Sequence, residues 1–232
     1  MRSIKSPYLH YIIFSFCIVF FSGCSNPKKT ETKQNAADRA AEAKAPAKSS
    51  DKNILFFGTS LTAGLGIDPD QAFPALIQKK VDSLKLSYQI INAGLSGETS
   101  ADGKNRIDWL LRQRVDIFVL ELGANDGLRG IPVDETESNL QVVIDKVKKK
   151  YPGAKLVLAG MQMPPSMGEK YTIPFRELFP ALAKKNKMSF VPFLLKGVGG
   201  VPELIQKDGL HPTPEGHQIL AKNVWEVLQP IL

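Results

Sequence analysis

The chain has 232 residues, of which 43% are hydrophobic and 23% are charged. This balance excludes a wholly disordered, a collagen-like and a multi-span membrane protein, and the length allows one domain or at most two small ones. The formal charge is +7, but residues 53–232 hold 21 basic and 19 acidic side chains and contribute only +2. Because that part is nearly neutral, the basic balance does not indicate a nucleic-acid surface, and we expect no nucleic-acid partner.

The amino terminus has the pattern of an export signal. Arg2 and Lys5 precede an apolar run over residues 8–21, and small residues then lead to Cys24. The run is shorter than the roughly 20 apolar residues that a membrane-spanning helix needs. The segment Phe-Ser-Gly-Cys ending at Cys24 resembles the lipobox of bacterial lipoproteins, with Phe where Leu is usual. We therefore expect residues 1–23 to be a signal peptide and Cys24 to be acylated; an ordinary cleaved signal or an uncleaved anchor is the alternative.

Residues 24–52 contain no aromatic and no branched aliphatic side chain, so they are predicted to be a solvated tether that follows the lipidated cysteine. The two cysteines, Cys17 and Cys24, both precede the predicted domain, which excludes a disulfide framework or a cysteine metal site within it. The expected protein is exported to the cell envelope and lipid-anchored to a membrane. The membrane leaflet and the oligomeric state stay open.

Strand and helix patterns alternate along residues 53–232. Short runs rich in Ile, Val, Leu and Phe predict strands buried on both faces, at residues 53–57, 88–92, 115–121, 155–159 and 189–193. Helical patterns occupy residues 73–86, 100–114, 133–150, 174–187 and 214–228, the last with Thr213 as its N-cap. The alternation predicts one α/β domain with a parallel sheet of about five strands and helices on both faces. In such sheets ligands bind beyond the carboxyl ends of the strands.

Four polar, turn-rich segments are expected at that edge, at residues 58–64, 93–99, 123–127 and 208–212. Turn chemistry alone explains any one of them, but four together suggest nucleophilic catalysis. A serine nucleophile needs an imidazole oriented by a carboxylate. His10 lies in the signal and His217 in the last helix, which leaves His211, with Asp208 three residues before it.

At this point the sequence resembles a known family. Gly-Thr-Ser-Leu at 58–61, Gly94, Gly-Ala-Asn-Asp at 123–126 and Asp-Gly-Leu-His at 208–211 match, in order, the four blocks of the SGNH (GDSL-type) hydrolases. The stretches NAGLSGETS and ELGANDGLRG are similar to its thioesterase/lysophospholipase/arylesterase branch. The resemblance implies a three-layer α/β/α, flavodoxin-like fold.

The same resemblance implies the site. Ser60 would be the nucleophile, His211 the general base and Asp208 the residue that orients His211. The backbone amides of Ser60 and Gly94 and the side-chain amide of Asn125 would form the oxyanion hole. Thr59 stands where the family usually has Asp, which predicts altered local hydrogen bonding without loss of activity. No metal and no organic cofactor are implied.

The predicted activity is two-step hydrolysis of an acyl ester or thioester, such as an aryl ester or a lysophospholipid. A carbohydrate O-acetyl esterase of the same fold and a non-catalytic binding lipoprotein are the alternatives. The Met- and Pro-rich loop at residues 161–171 is interpreted first as ordinary packing and second as the wall of an acyl pocket. Trp109 and Trp225 are predicted to be packing residues.

Overall fold

The computed structural model describes residues 52–232. The predictions for the signal peptide, for Cys24 and for most of the tether lie outside these residues. Across the described range, no helix is both long enough and apolar enough to cross a bilayer.

Five parallel strands form one sheet in the order β2-β1-β3-β4-β5. The strands are β1 (Lys52–Gly58), β2 (Tyr88–Gly94), β3 (Ile117–Glu121), β4 (Lys155–Ala159) and β5 (Ser189–Val191). This is the flavodoxin-like order, whose switch point lies between β1 and β3. The predicted α/β fold with about five parallel strands is confirmed, and each predicted strand is present with its ends shifted by at most two residues.

Seven α-helices occur within residues 52–232, and the five long ones cover the two faces of this sheet. The seven are α1 (Ser60–Ala63), α2 (Phe73–Ser83), α3 (Ser100–Leu110), α4 (Ala124–Leu128), α5 (Val133–Lys150), α6 (Glu169–Asn186) and α7 (Pro214–Leu228). On one face α2 packs against α7, and on the other α5 packs between α3 and α6. The strands between the two layers are the centre of the core, where Ile54, Leu55, Phe56 and Phe57 of β1 are fully buried.

Helix α6 begins five residues before its predicted start at Pro174. The prediction placed this proline in the first helical turn, where its missing N–H costs nothing. Pro174 and Pro180 instead lie inside the helix, on its exposed side. The carbonyls that lose their helical partners belong to the exposed residues Lys170 and Arg176, so water can satisfy them.

Two short helices, α1 and α4, and the exposure of one tryptophan were not predicted. Helix α1 is capped at its start by the Thr59 hydroxyl and ends at Gly64, which has a left-handed conformation. Trp225 is buried, as predicted, but the prediction for Trp109 is wrong: this side chain, in the last turn of α3, is 64% exposed.

Candidate active site

Ser60, His211 and Asp208 meet at the carboxyl edge of the sheet. Ser60 is the first residue of α1, directly after β1, and its Oγ lies 2.8 Å from Nε2 of His211. Nδ1 of the same ring lies 2.6 Å from Oδ2 of Asp208. Because the carboxylate can only accept, the ring proton is on Nδ1, and Nε2 is free to accept the Ser60 proton. A hydroxyl, an imidazole and a carboxylate in this chain of contacts are the parts of an activated serine nucleophile.

The Asp208 carboxylate is fixed although it is partly open to solvent. Its Oδ1 accepts the backbone N–H groups of Leu210, at 2.9 Å, and of His211, at 3.0 Å. These backbone bonds, together with the bond to the His211 ring, lower the pKa of Asp208 to about 2. The group is therefore ionised at neutral pH and can hold the imidazole in one tautomer.

A hairpin-like loop places His211 opposite Ser60. Ile205 and Pro212 form an antiparallel bridge, and the Gln206 N–H donates to the carbonyl of His211 at 2.7 Å. The Gln206 side-chain amide donates to the carbonyls of Pro212 and of Leu65, both at 2.8 Å. Since Leu65 follows α1, Gln206 ties the histidine loop to the turn that carries the serine. Sequence reasoning missed Gln206, because no local pattern marks it.

The Ser60 turn rests on a buried carboxylate at the end of β3. Glu121 is 2% exposed and accepts the Thr59 N–H at 2.8 Å, the Thr59 hydroxyl at 3.1 Å and the Thr62 hydroxyl at 2.7 Å. These two threonines flank Ser60 in sequence. Three donors from one turn therefore converge on one carboxylate and fix the path of the backbone through the nucleophile position.

Thr59 has a clear role in this arrangement. Its hydroxyl donates to Glu121 and accepts the Leu61 N–H at 3.4 Å. Burial raises the pKa of Glu121 to about 7, while the hydrogen bonds from Thr62 and Thr59 act in the opposite direction. Hydrogen bonding at Thr59 was predicted to be altered, but its partner Glu121 was not predicted, because in sequence it is only the last residue of a buried strand.

Asn125 lines the same pocket from α4. Its Nδ2 donates to the carbonyl of Glu98 at 3.0 Å, which fixes the amide and leaves the second Nδ2 hydrogen for the pocket. The loop that carries Glu98 also holds Gly97, which has φ +82° and whose carbonyl accepts from Arg129 at 3.0 Å. Among residues 52–232, no group accepts the Gly97 N–H.

Asp126 joins the two segments that carry Gly97 and Asn125. This fully buried carboxylate accepts both the backbone N–H and the hydroxyl of Ser100, the first residue of α3. The Asn139 side chain of α5 donates to the same hydroxyl at 3.2 Å. The loop after β2 is thus tied to the start of α4 at a point just behind the pocket.

The prediction that Gly94 donates to the oxyanion is wrong on geometry. Gly94 is the last residue of β2, and its N–H donates to Oδ1 of Asn92 at 2.9 Å rather than pointing at the pocket. A Cβ at this position would lie 2.2 Å from the backbone nitrogen of Ala63. Glycine is needed here because α1 passes directly over the strand end, so the close backbone approach is structural. Gly97, three residues later, has the free amide.

An apolar cavity of about 690 Å³ opens beside Ser60, His211 and Asn125. Its wall is formed mainly by hydrophobic side chains and prolines: Leu61, Leu128, Met161, Met163, Pro164, Pro165, Phe193, Leu195, Val201, Pro202, Ile205 and Leu210. The loop at residues 161–171 was interpreted as ordinary packing or as the wall of an acyl pocket. Both interpretations hold for Met161 and Met163, which are buried in the core and also line the cavity. Both the volume and the lining are typical of a small-molecule site.

His217 does not belong to the site. It lies 1% exposed in α7, its Nδ1 accepts the Phe73 N–H at 3.2 Å, and its ring stacks on that of Phe73. Burial, and secondarily the charge of His211, lower the pKa of His217 to about 4. Within residues 52–232, no three His, Cys, Asp or Glu side chains are grouped as metal ligands would be.

Comparison with known proteins gives one consistent result. The family described as the GDSL-like Lipase/Acylhydrolase family matches residues 56–219. Esterase TesA of Pseudomonas aeruginosa is 40% identical over 182 residues, which cover 78% of this chain and 90% of that protein. Thioesterase 1/protease 1/lysophospholipase L1 of Escherichia coli K12 is 34% identical over 180 residues, which cover 77% of this chain and 84% of that protein.

Among solved structures, the crystal structure of TesA superimposes with a TM-score of 0.75 at 40% identity, covering 78% of this chain and all of the other. The family match over residues 56–219 includes every polar segment at the carboxyl edge of the sheet. The chain therefore belongs to the GDSL-like lipase/acylhydrolase family, and it is an ester hydrolase of the SGNH type.

Proposed function

We propose that Ser60 is the nucleophile, His211 the general base and Asp208 the orienting acid of this hydrolase. The observation that carries the proposal is the continuous chain of contacts from the Ser60 hydroxyl, 2.8 Å from the imidazole, to the Asp208 carboxylate, 2.6 Å from it. Ser60 attacks the ester carbonyl while Nε2 of His211 takes its proton. The imidazolium returns that proton to the leaving alcohol or thiol, and a water activated by His211 then releases the acid.

The oxyanion would be held by three donors. The Ser60 amide is at the start of α1, where it has no helical partner, and the Asn125 side chain lines the same cavity from α4. The Gly97 amide belongs to the loop after β2, which Asn125 contacts through the carbonyl of Glu98. Gly97 replaces Gly94 in this proposal, because its N–H is unbonded among the described residues. A crystal structure of a phosphonate adduct at Ser60 tests it: the phosphoryl oxygen should lie within hydrogen-bond distance of the Gly97 nitrogen.

We infer that the substrate is a small acyl ester with an apolar acyl chain. The support is the cavity beside Ser60, whose wall is mostly aliphatic or proline. Relatives named as an esterase, an arylesterase and a thioesterase/lysophospholipase agree with an apolar chain on a variable leaving group. A carbohydrate O-acetyl esterase would need polar groups around its sugar instead.

Hydrolysis of p-nitrophenyl acetate and octanoate tests these assignments. Ser60→Ala and His211→Ala should each lose at least about a thousandfold in kcat/KM with the fold unchanged, as judged by circular dichroism. Ser83→Ala, an exposed serine at the end of α2, is the matched control and should keep full activity. Near-wild-type rates in either site variant would refute the roles, and activity on acetylated xylan but not on octanoate would favour the sugar esterase. A wild-type protein without activity on any ester would favour the binding protein.

We further propose that the protein is exported and acylated at Cys24. The support is the charged start, the apolar run over residues 8–21 and the small residues before Cys24. Intact-protein mass spectrometry of protein from membranes should give a chain that starts at Cys24 and carries lipid. Cys24→Ala should remove the lipid and release the protein from the membrane fraction.

A further inference from the structure

Acidic and basic side chains of the domain are unevenly distributed along the strand direction. We call the edge of the sheet where the strands begin the amino edge; it is the edge opposite the active site. Lys52 begins β1, and the pairing register sets Ile54 beside Ile117 and Ile117 beside Lys155, the first residue of β4. At about 4.8 Å per strand, Lys155 thus lies roughly 10 Å from the start of β1. Every long helix runs back to this edge and ends there.

Seven lysines lie at the amino edge: Lys148, Lys149 and Lys150 at the end of α5, Lys155 at the start of β4, and Lys184, Lys185 and Lys187 at the end of α6. Three of them, Lys148, Lys155 and Lys187, line one shallow groove. In the described part of the chain none of the seven forms an ion pair with an acid. No acidic residue occurs at positions 146–168 or 178–202.

Helix dipoles account for part of this cluster only. Cations stabilise the last turn of a helix, so two or three lysines at the ends of α5 and α6 are ordinary. Lys187 is the C-cap of α6, but Lys155 begins β4 and lies outside the helices. The opposite edge carries the reverse charge, with acids in the first helical turns at Asp134, Glu135, Glu169 and Glu215. Asp82, Asp108, Asp116 and Glu226 also lie near the amino edge, so its positive charge is concentrated at the ends of α5 and α6.

Trp109 is exposed at the same edge. It occupies the last turn of α3, and the neighbouring Asp108 pairs with Lys146 of α5 at 2.8 Å, one turn before Lys149 and Lys150. The exposed fraction of Trp109 is 64%, and Leu84, just after α2, is 51% exposed. An exposed tryptophan and lysines on the same edge are the side chains found where proteins meet the head groups of a bilayer.

We propose that the amino edge is a docking surface for an anionic phospholipid bilayer. The charges are complementary, the tryptophan fits the interface, and the chain that leads from Cys24 enters the domain at Lys52 on this same edge. A nucleic acid would also attract the lysines, but it gives no reason for the chain to enter here. The whole surface lies within residues 52–232, so its binding to a bilayer can be measured without acylation of Cys24.

This docking turns the active site away from the membrane. Ser60 follows the carboxyl end of β1, about 20 Å along the strand from Lys52. The cavity mouth is formed by loops at that far edge. If the proposed hydrolase function holds, the enzyme takes esters that arrive from the aqueous side rather than lipids of the bilayer on which it rests.

Vesicle binding by the isolated domain tests the surface. The crystallised chain of TesA is matched over its whole length by this domain alone, so such a domain folds without a preceding segment. Residues 52–232 should sediment with vesicles containing about one quarter phosphatidylglycerol but not with phosphatidylcholine alone. Binding should weaken strongly when salt rises from about 0.1 M to about 0.5 M.

Two matched double variants separate the surface from net charge. Lys149→Gln/Lys184→Gln should weaken binding about 25-fold, at about fivefold per lysine. Lys170→Gln/Lys196→Gln removes the same charge from the opposite edge and should change binding less than about twofold. Equal losses in both variants, equal binding to neutral vesicles, or tighter binding to duplex DNA than to the anionic vesicles would overturn the proposal. Ester hydrolysis, measured separately, should be unchanged in both variants.

The fluorescence of Trp109 tests the orientation. The other tryptophan, Trp225, is buried, so a blue shift of the emission on anionic vesicles and quenching by brominated lipid should come from Trp109. Trp109→Phe should abolish both signals. Binding without any such change would mean that another face touches the bilayer.

Discussion

Replacing Glu121 with Gln removes a titrating group from behind the Ser60 turn while keeping the shape of the side chain. Glu121 is 2% exposed and faces only the backbone and hydroxyl groups of Thr59 and Thr62, with no charged partner among the groups that shift it. The Gln oxygen can still accept the Thr59 N–H. The same oxygen can also accept the Thr62 hydroxyl, since both groups bond Oε2 of Glu121. The NH₂, in the place of Oε1, can donate to the Thr59 hydroxyl oxygen. We therefore expect Glu121→Gln to fold.

The variant should differ from the wild type in how its stability depends on pH. Burial raises the pKa of Glu121 from 4.5 to about 7, so the folded protein keeps a proton in this interval that the unfolded chain releases. The contribution of Glu121 to the free energy of unfolding is fully present below pH 4.5 and is lost as pH rises through about 7. At about 1.4 kcal/mol per pKa unit, the loss amounts to about 3 kcal/mol.

His217 contributes in the opposite direction. Burial lowers its pKa from 6.5 to about 4, so its contribution is complete above pH 6.5 and is lost as pH falls through about 4. The wild-type protein should consequently show a nearly flat free energy of unfolding between about pH 5 and 6.5, since the two contributions offset each other. In Glu121→Gln only the His217 contribution remains, and stability should rise with pH over this interval.

Urea unfolding at about pH 5 and about pH 8 measures the effect. The free energy of unfolding of Glu121→Gln, relative to wild type, should increase by about 2 to 3 kcal/mol between the two conditions. Asp145→Asn, which neutralises an exposed carboxylate of α5, is the control and should shift by less than about 0.5 kcal/mol. The same difference between Glu121→Gln and wild type at both pH values would refute the reasoning.

Three further predictions concern the reaction. Asn125→Ala should lower kcat by about 10² to 10³ with little change in KM, because it removes a donor used in the transition state; a loss confined to KM would contradict this. Asp208→Ala should reduce the hydrolysis rate less than Ser60→Ala does, and an unchanged rate would mean that another group orients His211. Val201→Trp, which fills part of the apolar cavity, should lower the ratio of octanoate to acetate hydrolysis at least about tenfold, and an unchanged ratio would place the acyl chain elsewhere.

The regular part of the fold could be predicted from local patterns. Strand β4 and helix α5 have the predicted ends because each is a clean run, one of apolar residues and one with helical periodicity, bounded by turn residues. Helix α6 could not be placed equally well. Its extension before Pro174 depends on which side of the helix faces water, and that is decided by packing against α5.

A residue of the site could be predicted from sequence where the chain holds few residues of the type that its role requires. The chain has three histidines, and His211 alone was left as the candidate base once the signal and the last helix were set aside. In the structure its ring lies beside the Ser60 hydroxyl. The glycine assignment failed because Gly94 and Gly97 are three residues apart and look alike in sequence; only the bond from Gly94 to Asn92 separates them. Glu121 and Gln206 could not be predicted, since each acts on residues about 60 to 140 positions away in the chain.

The net charge of the domain does not show how its charged residues are distributed in space. A net charge of +2 over residues 53–232 indicated no basic face, yet the lysines at the ends of α5 and α6 lie at one edge of the sheet. Both helices begin with acids at the active-site edge and end with lysines at the amino edge. Sequence alone shows the runs but not that α5 and α6 place them side by side.

Covalent labelling with a fluorophosphonate tests the central claim most directly, because the probe reacts only with a serine that an adjacent imidazole activates. Mass spectrometry of the labelled protein should find one adduct, on the peptide that contains Ser60, and no adduct in Ser60→Ala or His211→Ala. A wild-type protein that hydrolyses esters but carries no label, or a label on a serine other than Ser60, would contradict the account.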